Sequence, residues 1–236
     1  MSAATLLVFA RCAGFAFRAP GFSHPSVTPA VRAALAVLLT LSTAPTVRAA
    51  PLVAGAVVPA LAIEFLIGSA IGMAASLVYD GAYAGGRAVD DYVGVKSFAP
   101  SLQLVAPSGF GRVWSLAYTG GFFLTGAYRP AILAFAGGFD RLPVGAYVDA
   151  HAWSSFAGAL AGTIVVVAVS VAAPAIALAF VVQISLGALS RVVPRFGSFT
   201  LTFPLTFGAA IVATALAAPA LAFSGFVPIV PLPASP

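Results

Sequence analysis

Catalysis needs titratable or nucleophilic side chains held close together, and this chain has few of them. Its 236 residues include ten Arg, one Lys, five Asp, one Glu, two His and one Cys. His24 and His151 fall in separate loops. The chain has no His-Glu-x-x-His zinc pattern and no Gly-x-Gly-Asp pattern of an intramembrane aspartyl protease. The sole lysine, Lys96, does not follow a phosphate-cradling glycine loop. Cys12 has no second cysteine with which to form a disulfide or a thiolate cluster, and its apolar neighbours suit a buried, inert thiol. Asp90 and Asp91 are adjacent, so they do not share a helix face, and they read as a solvated loop or helix end. These residues point to a protein that is not an enzyme and needs no cofactor or metal.

Glu64 stands apart. It sits in an apolar run four residues before Gly68. A charge at the centre of a membrane span costs about 2.5–3.5 kcal/mol on insertion scales, so its position requires a reason. It lies near a helix end, or pairs with an arginine, or serves as a proton or ion site. Arg11 and Arg129 are the other charges inside apolar runs. Glu64 therefore carries an alternative function, an ion-coupled or small-solute secondary transporter. Such a protein would be thermally stabilised by its substrate as an isolated chain.

The elements that must position these side chains are apolar helices. Apolar residues make up 61% of the chain, charged residues only 7%, and mean hydropathy is +1.07. A soluble domain is roughly 25% charged. So few charges cannot cover a soluble surface, and so much apolar content excludes disorder. The expected fold class is all-α, a polytopic membrane protein of about six partly kinked helices. Apolar stretches run from Ala3 to Phe17, Ala33 to Val58, Ala60 to Tyr79, Val113 to Ala136, Ala152 to Ser190, and Phe196 onward. The first has no basic residue ahead of it, unlike a secretory leader, and is expected to be a mature membrane segment. Pro45, Pro174 and Pro204 predict kinks or interruptions. The net charge of +5 comes from scattered arginines rather than a basic stripe, which argues against nucleic acid as a partner.

Basic residues set the expected orientation. The loops Arg18 to Arg32, Asp80 to Arg112 and Leu189 to Phe196 hold seven of them, against three (Arg48, Arg129 and Arg141) on the alternate side. The three loops are therefore expected in the cytoplasm and both termini outside. Gly68-xxx-Gly72, Gly81-xxx-Gly85 and Gly158-xxx-Gly162 each place two glycines on one helix face. Such faces let helices approach closely, either within the chain or against other subunits.

Several stretches then form an ordered set. The chain reads Phe9-Ala10-Arg11-Cys12-Ala13-Gly14-Phe15, then Thr28-Pro29-Ala30-Val31-Arg32, then Glu64-Phe65-Leu66-Ile67-Gly68 with Ile71-Gly72. Toward the other end it reads Leu186-Gly187-Ala188-Leu189-Ser190-Arg191-Val192-Val193-Pro194, then Phe199, then Phe203-Pro204-Leu205. From about Leu7 to Ala210 this order and spacing resembles the R/T-type subunit family of the bacterial type III export gate (the FliR/SctT family).

The resemblance implies a single-copy structural subunit of a passive gate in the bacterial inner membrane. Its partners would be P-type and Q-type gate subunits, a B/U-type switch protein, membrane lipid, and the unfolded flagellar or virulence substrates that cross. Residues 1–151 would be P-like and residues 152–236 a Q-like hairpin with an apolar tail. The family seals its pore partly with a loop of this subunit, which by position lies between Lys96 and Gly111. The candidate plug residues are Phe98, Pro100, Leu102, Leu104, Val105 and Phe110. Apolar constrictions of this kind exclude water. The family-motif residues expected to be structural are Arg11, Arg32, Glu64, Gly68, Gly72, Gly187, Arg191, Pro194, Phe199 and Pro204.

Overall fold

The computed structural model describes residues 3–23, 27–47, 56–94, 109–145, 149–193 and 199–223. Every regular element among them is an α-helix: α1 (Ala3–Arg18), α2 (Pro29–Thr43), α3 (Val57–Val93), α4 (Phe110–Leu124), α5 (Tyr128–Arg141), α6 (Ala150–Ser190) and α7 (Phe199–Phe223). The all-α membrane-type architecture expected from composition is present. The boundaries follow local chemistry. Pro29 opens α2 after an extended Thr28, where a missing N–H costs nothing. Gly94, at φ +83°, ends α3, and its N–H donates to the Asp90 carbonyl.

The apolar stretches and the helices do not coincide everywhere. The run expected to span Val113 to Ala136 is two helices, because Gly126 takes φ +76° and breaks the chain between α4 and α5. The run from Ala33 to Val58 ends as a helix at Thr43, just before Pro45. α3 continues to Val93, well past the expected end at Tyr79. α6 and α7 remain helical across Pro174 and Pro204.

α3 has 37 residues and α6 has 41, and both are apolar enough to cross a membrane. At 1.5 Å per residue each reaches roughly 55–60 Å, well beyond a hydrocarbon core of about 30 Å. On α6, Val165, Val166, Val169, Phe180, Val181 and Ile184 are each more than half exposed. Val212 and Leu216 on α7 are likewise exposed. A soluble surface does not carry so many large apolar side chains.

The described residues divide into two compact units, residues 3–77 with 121–162, and residues 78–120 with 163–223. In the first, Leu7, Val8, Cys12 and Phe15 of α1 pack with Ile67 and Ile71 of α3 and with Phe135 and Phe139 of α5. Phe15 stacks on Phe135 with ring centroids 4.3 Å apart. In the second, the contact surface is built largely from small residues: Ala172, Ala175 and Ala179 of α6 meet Ala210 and Ala213 of α7 and Val89 and Val93 of α3. Small side chains let backbones close on one another, giving dispersion contact where water exclusion contributes little.

Two of the three glycine faces lie against other helices of this chain. On α3, a side chain at Gly68 would meet the Arg11 carbonyl, and one at Gly72 would meet the Phe15 carbonyl. Gly81 and Gly85 face Val167 and Ala168 of α6 in the same way. These two pairs serve packing within the chain. A side chain at Gly158 or Gly162 would enter open space.

Candidate functional site

In the first unit, α1 lies along α3 so closely that Gly14 abuts the Phe65 carbonyl and Gly68 abuts the Arg11 carbonyl. That approach brings two charged side chains together in the core. Arg11 is 0% and Glu64 2% exposed. Arg11 Nε donates to Glu64 Oε2 at 2.6 Å, and its Nη1 donates to the Leu142 carbonyl at 2.8 Å. The second carboxylate oxygen, Oε1, accepts the Gly145 N–H at 2.8 Å. The guanidinium also lies over the Phe139 ring, 4.7 Å from its centroid.

Leu142 follows the last residue of α5, so Arg11 satisfies a carbonyl at that helix end. Gly145 sits at φ +80°, a conformation that favours glycine. The node thus ties α1, α3 and the segment after α5 to one buried pair. Both oxygens of Glu64 are engaged, which makes the carboxylate a structural acceptor and takes up the pairing option open to it.

In the second unit, a carboxylate caps a neighbouring helix. Asp90 lies in the last turn of α3 and is 1% exposed, whereas Asp91 is exposed. The expectation of a helix end holds for both acids, but solvation is corrected for Asp90, which points into the core rather than to water. Asp90 Oδ1 accepts the Phe110 N–H at 3.0 Å, and Oδ2 accepts the Gly111 N–H at 3.4 Å. These are first-turn donors of α4, which have no acceptor within their own helix. Capping of this kind contributes about 0.5–2 kcal/mol. One turn earlier on α3, a side chain at Gly86 would collide with Gly111, so the two backbones touch. The Phe110 ring packs edge-on against Phe207 of α7, centroids 5.4 Å apart.

Residues 2–224 match the family model for bacterial export proteins, family 1. The chain belongs to this family. It is 28% identical over 222 residues to the flagellar biosynthetic protein FliR of Pectobacterium carotovorum subsp. carotovorum, covering 89% of this chain and 82% of that one. The family is the R/T-type one that the ordered motifs resemble, and its membership makes the chain a helical membrane component of the type III export apparatus.

Within this export protein the structure gathers four of the motif residues, Arg11, Glu64, Gly68 and Gly72, into one place. Arg32 on α2 donates to the Ser23 carbonyl at 3.3 Å and stands 5.9 Å from the Phe17 ring centroid. Gly187 on α6 faces open space, Arg191 is exposed just beyond α6, and Pro204 is exposed on α7. Phe199 opens α7. Phe98, Pro100, Leu102, Leu104, Val105 and Pro194 lie outside the described residues. Phe110 is the first residue of α4 and is buried.

Around the break at Gly126, Phe22 packs edge-on against Phe123 at 6.3 Å, and Phe123 lies 6.1 Å from Tyr128.

Phe139, Leu142 and Gly145 escaped the sequence reading, and Asp90 was read there only as part of a solvated loop or helix end. Asp90 had a signal: Gly86 precedes it by four residues, so a small residue and an acid share one face of an apolar helix. That pairing marks a backbone approaching a hydrogen-bond acceptor. The Leu142 and Gly145 contacts use backbone atoms, which no residue type announces. Among the described residues no cluster of His, Cys, Asp and Glu could hold a metal ion.

Proposed function

We propose that this export protein is a single-copy structural subunit of the type III export gate and forms part of its pore and closing plug. Unfolded flagellar or virulence substrates would cross the inner membrane through the assembled gate. The observation that carries the reading is the family match over residues 2–224, nearly the whole chain. The chain's likeness to a flagellar biosynthetic protein favours the flagellar system. The large exposed apolar faces of α6 and α7 suit a chain surrounded by lipid and by P-type and Q-type subunits. In this reading residues 1–151 correspond to a P-type subunit, residues 152–236 correspond to a Q-type subunit, and both termini are outside. A B/U-type switch protein binds the cytoplasmic side. The chain positions and seals and catalyses nothing; both oxygens of its buried Glu64 are already engaged.

The test is extraction of a tagged chain from its native membrane in mild detergent, with quantitative mass spectrometry of what co-purifies. P-type and Q-type subunits in excess over one copy of this chain are expected. A homogeneous homo-oligomer would overturn the reading.

The closing role is assigned to the segment from Lys96 to Gly111, through Phe98, Pro100, Leu102, Leu104 and Val105. Phe110 and Gly111 anchor its return from within α4. Deleting Ser97 to Ser108 is expected to raise ion leakage through the assembled gate, because an apolar constriction seals by dewetting. Unchanged conductance at equal gate abundance would remove the segment from the seal.

A further inference from the structure

We propose that the apolar pocket between α1, α2 and the α4–α5 break seats an acyl chain of an anionic membrane phospholipid, with Arg129 pairing to its phosphate. The pocket lies wholly in the first unit and measures about 90 Å³. Phe15 of α1, Leu35 and Leu39 of α2, Phe122 of α4 and Ile132 of α5 line it. Phe15 is 4% exposed, whereas the lining residues Phe123 and Ile132 are 42% and 43% exposed, so the pocket is closed at α1 and open at α4 and α5. Tyr128 carries the one polar side-chain group in the lining. Such a lining offers water almost no partners. A dry apolar cavity of about 150 Å³ takes up benzene, and this smaller one suits an alkyl chain rather than a ring. The medium around a membrane helix supplies alkyl chains.

Charge selects which lipid enters. Arg129 is exposed beside the pocket, its guanidinium carbon 5.8 Å from the Tyr128 ring centroid. It does not serve its own helix, since a cation in the first turn of α5 opposes the helix dipole. Ile132 follows three residues later, which puts Arg129 and a lining residue on one helix face. Arg18 immediately precedes the lining residue Ala19, and Arg32 stands one turn before Leu35. No acid occurs in residues 1–63 or 92–139, the stretches that hold the whole lining. Arg32 donates to the Ser23 carbonyl and adds only its field, so the direct contact falls to Arg129. A guanidinium meets phosphate through paired, charge-assisted hydrogen bonds. Tyrosine beside it suits the headgroup level, where such rings gather. One arginine near an anionic headgroup favours binding about fivefold. The site stands apart from the closing segment proposed above.

The experiment takes the full-length chain, with whatever co-extracts from its native membrane, into phosphatidylcholine vesicles. The vesicles carry a trace of phosphatidylglycerol or phosphatidylcholine with the same photoactivatable acyl chain, and mass spectrometry maps the labelled residues. The expected result is label on the lining residues of α2, α4 and α5, about fivefold stronger from phosphatidylglycerol. Arg129→Gln should level the two lipids, and Ala131→Phe, which fills the pocket, should lower labelling by both. A lining that takes no label is covered by protein, and overturns the site. Equal labelling by the two lipids of the native chain overturns the anionic occupant. A preference that survives Arg129→Gln overturns the assigned contact. Unchanged labelling of a recovered Ala131→Phe chain places the lipid outside the pocket and overturns the proposal. If Ala131→Phe is not recovered, Arg129→Gln decides, because that side chain is exposed and its loss leaves the core intact.

Discussion

Replacing Arg11 with alanine is expected to destabilise the subunit by about 3–5 kcal/mol, because it strands the buried charge of Glu64. The magnitude comes less from the attraction lost than from the desolvated carboxylate left behind. Glu64 would keep only the Gly145 N–H, and the Leu142 carbonyl at the end of α5 would lose its donor. Glu64→Ala is expected to cost a similar amount, since it leaves a buried guanidinium over Phe139. Arg11→Lys should fall between native and alanine. An ammonium keeps the charge but cannot present one donor to the carboxylate and another to Leu142 in a fixed plane. Replacing both partners with apolar residues, Arg11→Met with Glu64→Leu, should recover much of the loss. The measurement is thermal survival of the purified gate complex in detergent, run as a double-mutant cycle. If the double variant costs the sum of its two single variants, the pair is not coupled and the node does not organise the α1–α3 contact.

Gly68→Ala is the second large effect, and it needs no change of charge. The added carbon would meet the Arg11 carbonyl, a backbone atom that cannot rotate away. Overpacking a fixed contact costs about 1–3 kcal/mol, and more where the obstacle is rigid. The shift would also separate α1 from α3 and strain the 2.6 Å contact between Arg11 and Glu64. Gly158→Ala supplies the comparison. Its added carbon meets nothing within the chain, and alanine is favoured over glycine in a helix by about 0.5–1 kcal/mol. The isolated chain should therefore tolerate Gly158→Ala and lose stability with Gly68→Ala. Equal behaviour of the two in a thermal melt would count against the close α1–α3 crossing. If Gly158→Ala instead reduces recovery of partner subunits while leaving the isolated chain intact, its open face is a subunit contact.

The two nodes differ in how far residue types disclosed them. Arg11 and Glu64 are conspicuous because an ionised group in an apolar run demands a partner, and few candidates exist in this chain. Gly68 and Gly72 are visible for a similar reason, since paired glycines waste helix propensity unless a backbone needs the room. Asp90 was harder to read. Beside Asp91 and near an expected loop it resembled solvated surface, and only α3's extension to Val93 places it in the core. Gly126 shows the opposite failure. Hydropathy reads through it because the flanking residues are apolar, yet its left-handed conformation divides one run into two helices.

Composition and the apolar runs together decided that this is an all-α membrane protein, because 17 charged residues in 236 cannot clothe a soluble fold and runs of about 20 apolar residues have the length of a spanning helix. Motif order alone pointed to the export-gate family, because ordered spacing survives where single motifs are weak. Only the tertiary structure decided which arginine meets Glu64. Candidates near in sequence and far from it are equivalent to a periodicity argument, and the choice depends on which helix faces approach. It also decided that Asp90 serves α4 rather than its own helix. A capping acceptor supplied from another element leaves no mark beside the helix it caps, since the donors it satisfies are backbone groups common to every residue.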